Sequence, residues 1–339
     1  MSEVKCVVWD LDGTLWPGIA VEVEDEERLE PFPQVVAAMR RLADAGVLNA
    51  VASRTSPGVG ARLDAFPEVT DLLVARRLGW HDKSLSVEAI AEELGLGADA
   101  LLLVDDSAFE RAEVTAHTAA RAVEPSTFLA SLADFLPASV SSQAADRTRH
   151  YQAESRRRTA AAAYADQRAF LDACDLRLRV GPALPEDRAR VLELARRARR
   201  LSSTAMVVDD VAFDTWGNAG DREILVARLT DRFGDYGLIG LALVSTTDAE
   251  ATVSLLAVSC RVSGRGVAQA FLAELARRHL PRSLVVPITA TSANVELRLL
   301  VRTLGLELEQ TGPDSVTAYA APGSVGDDVA PWVAVEAAT

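Results

Sequence analysis

Short apolar runs alternate with amphipathic stretches along the first half of the chain. Val7–Trp9, Val47–Ser53 (V-L-N-A-V-A-S) and Leu101–Val104 (L-L-L-V) are runs of strand length without polar alternation, the pattern of strands buried on both faces. Between them, spacing predicts a helix over 31–46, opened by Pro31 and Pro33 and closed at Gly46, and another over 84–95, closed at Gly95. Strands alternating with helices predict an α/β domain with a parallel sheet over residues 1–140, ending in a short helix and a Pro-containing stretch over 125–140. Residues 141–172 are charged, Ala-rich and free of Gly and Pro, and read as a connecting helix whose Arg156, Arg157 and Arg158 form a solvated face. From 173 to 325 the pattern is α+β: strands over 175–180, 223–231, 237–245, 252–260 and 284–290, with helices over 185–200 and 267–278.

Length and charge agree with two domains. The 339 residues exceed one ordinary core, and 49% are apolar. A net charge of −14 argues against a nucleic-acid surface. No charged-then-apolar leader opens the chain and no apolar run is long enough to cross a membrane, so a cytoplasmic location is expected. Cys6, Cys174 and Cys260 are odd in number and far apart, and suggest no disulfide framework or zinc site.

The candidate chemistry begins where the first strand ends. In V-V-W-D-L-D-G-T-L, Asp10 and Asp12 lie two residues apart and point the same way from a strand, with Gly13 allowing the turn. Two like charges that close call for a cation between them or a shared proton. Carboxylates without His or Cys suit Mg²⁺, and Mg²⁺ implies phosphate chemistry in which one Asp is free to act as nucleophile. Ser53 ends the second apolar run, Lys83 precedes the second helix, and Asp105 and Asp106 follow the third run. This ordered set resembles the haloacid dehalogenase (HAD) superfamily of phosphatases over roughly residues 4–125. The resemblance implies Asp10 as nucleophile and Asp12 as general acid/base. It implies Thr14, Ser53 and Lys83 as phosphate ligands, and Asp10, Asp12, Asp105 and Asp106 as the Mg²⁺ site. The stretch between Asp12 and Ser53 is too short for a large cap, so the expected domain is a HAD-like, Rossmannoid one with an open site.

In the second half, Arg261–Gly266 (R-V-S-G-R-G) lies between a strand and a helix, where backbone N–H groups can cradle a phosphate. The order of elements resembles the N-acetyltransferase (GNAT) fold over roughly 174–320, without the usual aromatic acid/base in the last helix. Cys260 directly precedes the loop. A helix N-terminus and Arg261 favour its thiolate, although a free Cys is more often a small buried hydrophobe.

The HAD-like half, D-R-F-G-D-Y-G-L-I-G in the middle, and S-C-R-V-S-G-R-G beyond it together resemble the FkbH-like glyceryltransferase/phosphatase family. That resemblance implies transfer of the acyl group of 1,3-bisphosphoglycerate to Cys260 and removal of the 3-phosphate at the Asp10/Mg²⁺ site. Glyceryl would then be loaded onto an acyl carrier protein for polyketide-type biosynthesis. Arg261, Gly264 and Gly266 would guide the carrier's phosphopantetheine arm, with Arg196, Arg197, Arg199, Arg200 and Arg265 as a basic patch for it. The chain departs from the family at Gly13, at T-L-W-P-G, at Arg54-Thr55 and in the Arg-rich stretch near 200. The alternative expectation is a Mg²⁺-dependent HAD phosphatase whose GNAT-like domain only recognises substrate or carrier.

Overall fold

In the computed structural model, which describes residues 3–22, 29–138, 144–218, 220–326 and 328–337, the three apolar runs of the first half lie side by side. The start of the expected connecting helix, 141–143, lies outside the described residues. β1 (Cys6–Trp9) pairs in parallel with β2 (Leu48–Ser53) on one side and β4 (Leu101–Val104) on the other. β3 (Leu73–Leu78) and β5 (Arg121–Val123), which the sequence pattern did not predict, complete the order β3-β2-β1-β4-β5. The direction of winding reverses between β1 and β4, so a crevice opens at their carboxyl ends.

Alternate residues of β1 feed two cores. Val7 and Trp9 face α1 (Pro33–Asp44), which buries Val35, Val36, Met39 and Leu42 at helical spacing. The short helices α2 (Val59–Leu63) and α3 (Pro67–Thr70) add Leu63 and Val69 to that core. Cys6 and Val8 face the other way, toward Val87, Ile90 and Leu94 of α4 (Lys83–Leu94) and Val114 of α5 (Ala108–His117). α6 (Pro125–Ala130) closes the first core with Phe128, edge-on to Trp9 with ring centroids 5.2 Å apart. Asn49 is wholly buried and bridges this core: it accepts from Trp9 Nε1 at 2.9 Å and donates to the Met39 carbonyl at 3.0 Å.

α7 (Ala144–Ala161) does not stand free. Gln152 donates to the carbonyls of Asp71 and Leu73, both at 2.9 Å, and Arg147 to that of Gly46 at 2.9 Å. Arg156 and Arg158 are exposed, the latter bonding the Glu93 carbonyl, whereas Arg157 is buried, which corrects the expectation of a solvated face for that residue. The chain divides into compact units at Thr159/Ala160, and the helical stretch breaks before α8 (Gln167–Ala173).

The second unit is built on a mixed sheet in the order β12-β13-β11-β10-β9-β8-β6-β14. β6 (Leu176–Pro182), β8 (Arg222–Asp231), β9 (Gly234–Thr246) and β10 (Glu250–Val258) are antiparallel neighbours. α9 (Arg188–Arg197) and α10 (Asp210–Asn218) cover one face; α11 (Val267–Arg278), with Phe271 at its centre, covers the other. β11 (Ser283–Thr289), α12 (Val295–Thr303), β12 (Glu307–Gly312) and β13 (Ser315–Ala320) follow. β14 (Val333–Ala337) pairs with β6 and carries this unit past the expected limit at 325.

β10 and β11 pair in parallel only over Glu250–Thr252 and Ser283–Val285, then part. The chain's own Leu201–Thr204 fills the gap. β7 (Leu201–Ser202) pairs with β10, Ser203 N donates to the Leu256 carbonyl at 2.9 Å, and Thr289 N donates to the Ser203 carbonyl at 2.8 Å. The helix predicted over 185–200 therefore stops at Arg197, where the backbone leaves for this strand pairing. β10 likewise ends at Val258, and Cys260–Val262 turn as a single 3₁₀ turn outside the strand.

Two predictions follow from these contacts. Asn49→Leu keeps the volume but strands Trp9 Nε1 and the Met39 carbonyl, so the unfolding free energy is expected to fall by about 2–4 kcal/mol in denaturant titration. In the second unit, Glu223 Oε1 lies 2.6 Å from His279 Nε2, and this hydrogen bond, with Arg278 beside it, holds the Glu223 carboxyl below its usual range against partial burial. A depressed carboxyl contributes stability that is whole above the unfolded value, about 4.3, and is lost as pH falls through the lower folded value. The stability advantage of the parent over Glu223→Gln is thus expected to be constant down to about pH 4.3 and to shrink below it.

Candidate active site

The residues at the carboxyl ends of β1 and β4 converge. Asp10 follows β1 directly, its N–H donating to the Val104 carbonyl at 3.0 Å, and Asp105 follows β4. Lys83, the first residue of α4, is 1% exposed, and its Nζ donates to Asp10 Oδ1 at 2.8 Å. The same ammonium bonds Asp105 Oδ2 and Glu110 Oε2. Burial pushes the Asp10 carboxyl up to about 7, with Asp105 adding repulsion while Lys83 and the Ser53 hydroxyl pull it down. Burial works against the Lys83 cation, but Asp10 and Asp105 outweigh it and hold the ammonium above its usual range.

The other expected residues surround this centre without all entering it. Asp12 turns its carboxylate to the Trp16 indole, at 2.8 Å, and to Ala20 N–H, at 3.0 Å. Thr14 is buried and its hydroxyl accepts from Asp106 N–H at 3.1 Å, which ties the loop after β1 to the loop after β4. Gly13 has φ +70°, and a Cβ there would stand 2.4 Å from Asp106 Oδ2. The positive φ favours glycine here, and a side chain would also displace the Asp106 carboxylate. Ser53 closes β2 and is buried beside Asp10. The Asp106 side chain is exposed and outside the carboxylate cluster; its carboxyl is raised by burial, then by Asp105.

One oxygen each from Asp10, Asp105 and Glu110 lie within 4.8 Å of one another. Sequence reasoning missed Glu110. The S-A-F-E run reads as a helix start, and Ser107 Oγ does accept from Glu110 N–H at 3.4 Å, but the Glu110 carboxylate goes to Lys83 instead of back to the cap. It also missed Trp16 and Arg54, the latter 3.8 Å from Glu110. An all-oxygen donor set short of positive charge fits a hard divalent cation. One ammonium faces three carboxylates, and Arg54 is only a distant, half-exposed partner.

In the second unit, Cys260 is exposed, whereas Cys6 and Cys174 are buried. It opens the 3₁₀ turn that Ser259 caps, accepting from Arg261 N–H at 3.4 Å; Arg261 Nε is 3.5 Å from the same hydroxyl. Gly264 and Gly266 have φ +73° and +77°. A Cβ on Gly266 would stand 2.9 Å from the Trp332 ring, whose Nε1 donates to the Arg265 carbonyl at 2.7 Å. Gln167 donates to the Gly264 carbonyl at 3.1 Å. Backbone conformation at both positions, and packing against Trp332 at Gly266, thus give the loop a structural reason for its glycines. Of the arginines expected as a basic patch, Arg197 pairs with Glu193, Arg200 with Glu296, and Arg265 with the Tyr236 hydroxyl; Arg196 bonds the Leu192 carbonyl and Arg199 is exposed.

No family model and no curated protein matches the chain. Similar solved structures fall into two groups. The phosphatase domain, complexed with Mg, in the N-terminal part of a Bacteroides fragilis protein is 23% identical, covering 41% of this chain and 42% of that one, with a TM-score of 0.35. This chain thus spans about two fifths of that structure's length. The cobalt-bound deoxy-D-mannose-octulosonate 8-phosphate phosphatase of Haemophilus influenzae is 20% identical over 36% of this chain and 68% of that one, TM-score 0.30. A candidate acetyltransferase of the GNAT family from Desulfovibrio desulfuricans is 20% identical over 43% of this chain and 99% of that one, TM-score 0.34. The structure itself shows a five-stranded parallel sheet in the first unit and a mixed sheet in the second. Among the described residues no helix is long and apolar enough to cross a membrane.

Removing the central cation leaves buried carboxylates facing each other. Lys83→Met is expected to lower stability by about 3–5 kcal/mol. Added Mg²⁺ should recover part of the loss in thermal unfolding, because a cation among Asp10, Asp105 and Glu110 replaces the missing charge.

Proposed function

We propose that this chain combines a Mg²⁺-dependent aspartyl phosphatase with an acyl transferase, and that it acts as a glyceryl transferase/phosphatase of the FkbH-like kind. The observation that carries the reading is the buried Asp10 at the end of β1, held by Lys83 beside Asp105 and Glu110. Mg²⁺, held by Asp10, Asp105 and Glu110, would supply charge neutralisation for the phosphoryl group. Asp10 is placed to attack phosphorus, forming an aspartyl-phosphate as the P–O ester bond breaks. Asp12, oriented by Trp16, would protonate the departing oxygen and then take a proton from the water that hydrolyses the acyl phosphate on Asp10. Ser53 and Lys83 would hold phosphate oxygens, while Thr14 braces the loop that carries Asp106.

Support for the acyl half comes from Cys260, free and exposed beside the Ser259 turn. Its sulfur would attack C1 of 1,3-bisphosphoglycerate, forming a C–S bond as the C–O bond to phosphate breaks and inorganic phosphate leaves. The phosphatase site would cleave the remaining 3-phosphate, and the phosphopantetheine thiol of an acyl carrier protein would take the glyceryl group by thioester exchange. A cytoplasmic location belongs to this reading, since both donor and carrier are soluble. A plain phosphatase whose second unit only recognises substrate or carrier is the second reading. It is favoured by the structural reasons for both glycines, a left-handed backbone at Gly264 and Gly266 and the Trp332 ring against Gly266.

Intact-protein mass spectrometry after mixing with 1,3-bisphosphoglycerate and Mg²⁺ separates the two. A glyceryl adduct on the parent, absent from Cys260→Ala and replaced by a phosphoglyceryl adduct in Asp10→Asn, is expected. Chelation of Mg²⁺ should stop dephosphorylation without preventing the adduct. Phosphate release with no adduct would reduce the chain to a phosphatase.

A further inference from the structure

Among the described residues of the first unit, the large apolar side chains left exposed are Ile19, Val21, Trp80, Leu85 and Phe109. Single exposed apolar residues scattered over a surface need no explanation. These five are not scattered: all lie on segments that follow the carboxyl ends of β1, β3 and β4. Ile19, Trp80, Leu85 and Phe109 also lie within three residues of a residue of the site or of one bonded to it. Ile19 precedes Ala20, whose N–H bonds Asp12. Trp80, 63% exposed, is three residues before Lys83, and Leu85 is two after it. Phe109, 70% exposed, directly precedes Glu110. The last two loops are joined: Ser84 N–H donates to Glu113 Oε2 at 3.0 Å, and Phe109 shares a face of α5 with Glu113. Asp10 and Lys83 are buried at the carboxyl ends of the strands from which these segments depart, so a phosphoryl group that reaches them leaves the rest of its molecule on the side of the sheet where the segments begin.

We propose that Ile19, Trp80 and Phe109, with Val21 and Leu85, form an apolar rim that binds the leaving group of the phosphate ester. The substrate class is then a phosphate monoester with an apolar body beyond the reacting atoms, in contrast to a small, fully hydrated sugar phosphate. A three-carbon acyl unit held as a thioester is closer to that character than free 3-phosphoglycerate, because its C1 carboxylate is replaced by an uncharged thioester joined to an aliphatic chain. The inference rests on the phosphatase reading above. The contacts supply binding of a part of the substrate that does not react, so they act chiefly through KM.

The test is phosphate release with Mg²⁺ from ethyl, butyl and hexyl phosphate and from glycerol 3-phosphate. It is run on the full chain and on Trp80→Ser and Phe109→Ser, both exposed positions whose loss leaves the core intact. For the parent, kcat/KM is expected to rise at least ten-fold from ethyl to hexyl phosphate through a falling KM. Each variant should flatten that rise at least three-fold while ethyl phosphate turnover stays within two-fold of the parent. A parent that hydrolyses ethyl phosphate with no dependence on chain length overturns the rim and leaves the phosphatase reading standing. So does a dependence that both variants retain. A parent that releases phosphate from none of the esters overturns both.

Discussion

One ammonium group against three carboxylates, two of them and the ammonium buried and the third partly so, is the constraint on which the first unit depends. An isolated charge in an interior of low dielectric is costly, and Asp10, Asp105 and Glu110 are brought together by backbone that has little freedom to let them part. Asp10 and Asp105 follow neighbouring strands whose register is set by continuous pairing of Cys6–Trp9 with Leu101–Val104. Lys83 and Glu110 begin helices packed on that sheet. The cost of this geometry is met elsewhere, by Trp9, Val7 and Leu102 on one face and Val8, Val87 and Ile90 on the other. A site that is held short of positive charge is also one that gains by admitting more of it, which is the condition for binding a divalent cation and the phosphate it accompanies.

The second unit handles its exceptional residue in the opposite way. Its charges are dispersed in local pairs such as Asp187–Arg228 and Glu274–Arg277, and its candidate nucleophile is at the surface. Where β10 and β11 diverge, the unpaired backbone is satisfied from within the chain. Ser203 bonds both edges, and Asn294 donates to the carbonyls of Ser202, at 3.1 Å, and Thr289, at 2.8 Å. Buried peptide groups are seldom left unpaired, and a parallel pair that splays has to find partners for two edges at once. Leu201–Thr204 meets that need, and it thereby fixes the end of β10 from which the Cys260 turn departs.

Much of the first unit was legible because burial on both faces leaves a plain signature. The V-V-W, L-N-A-V-A and L-L-L-V runs have no polar alternation, and each ends in a residue of the site. β3 was not legible, since L-V-A-R-R-L turns exposed at its first arginine, Arg76, and lies at the sheet edge. β5 is only three residues long. Glu110 was hidden by a spacing that has an ordinary structural meaning as a helix cap. In the second unit, the strand pairing of Leu201–Ser202 could not be read from R-R-L-S-S-T, because a two-residue strand that depends on partners fifty residues away has no local pattern. The glycines at 264 and 266 were legible as a loop exposing backbone N–H groups before a helix. The packing of Gly266 against Trp332 was not, since Trp332 lies far along the chain.

Rigidity, more than proximity alone, separates a reactive carboxylate from a merely buried one. The loop after β1 is braced at each step: Leu15 N–H to the Leu11 carbonyl at 2.8 Å, Thr14 to Asp106, Asp12 to Trp16 and Ala20. Gly13 lets the loop pass close against Asp106 where any side chain would collide. From the other side, Asp105 Oδ1 accepts from Ser107 N–H at 2.8 Å, and Arg111 donates to the Asp105 carbonyl at 2.7 Å. The carboxylates are thus held by bonds that a substrate does not have to break. Dipoles and charges set before the reaction begins cost no reorganisation when charge develops, which is how a fixed site lowers a barrier. Asp12 is the informative case. It is outside the acidic cluster, and its bonds to Trp16 and Ala20 hold it in one orientation two residues from Asp10. Asp10 thus bonds an ammonium among carboxylates while Asp12 is held by neutral donors, and the proposed division between nucleophile and acid–base partner rests on that difference of surroundings.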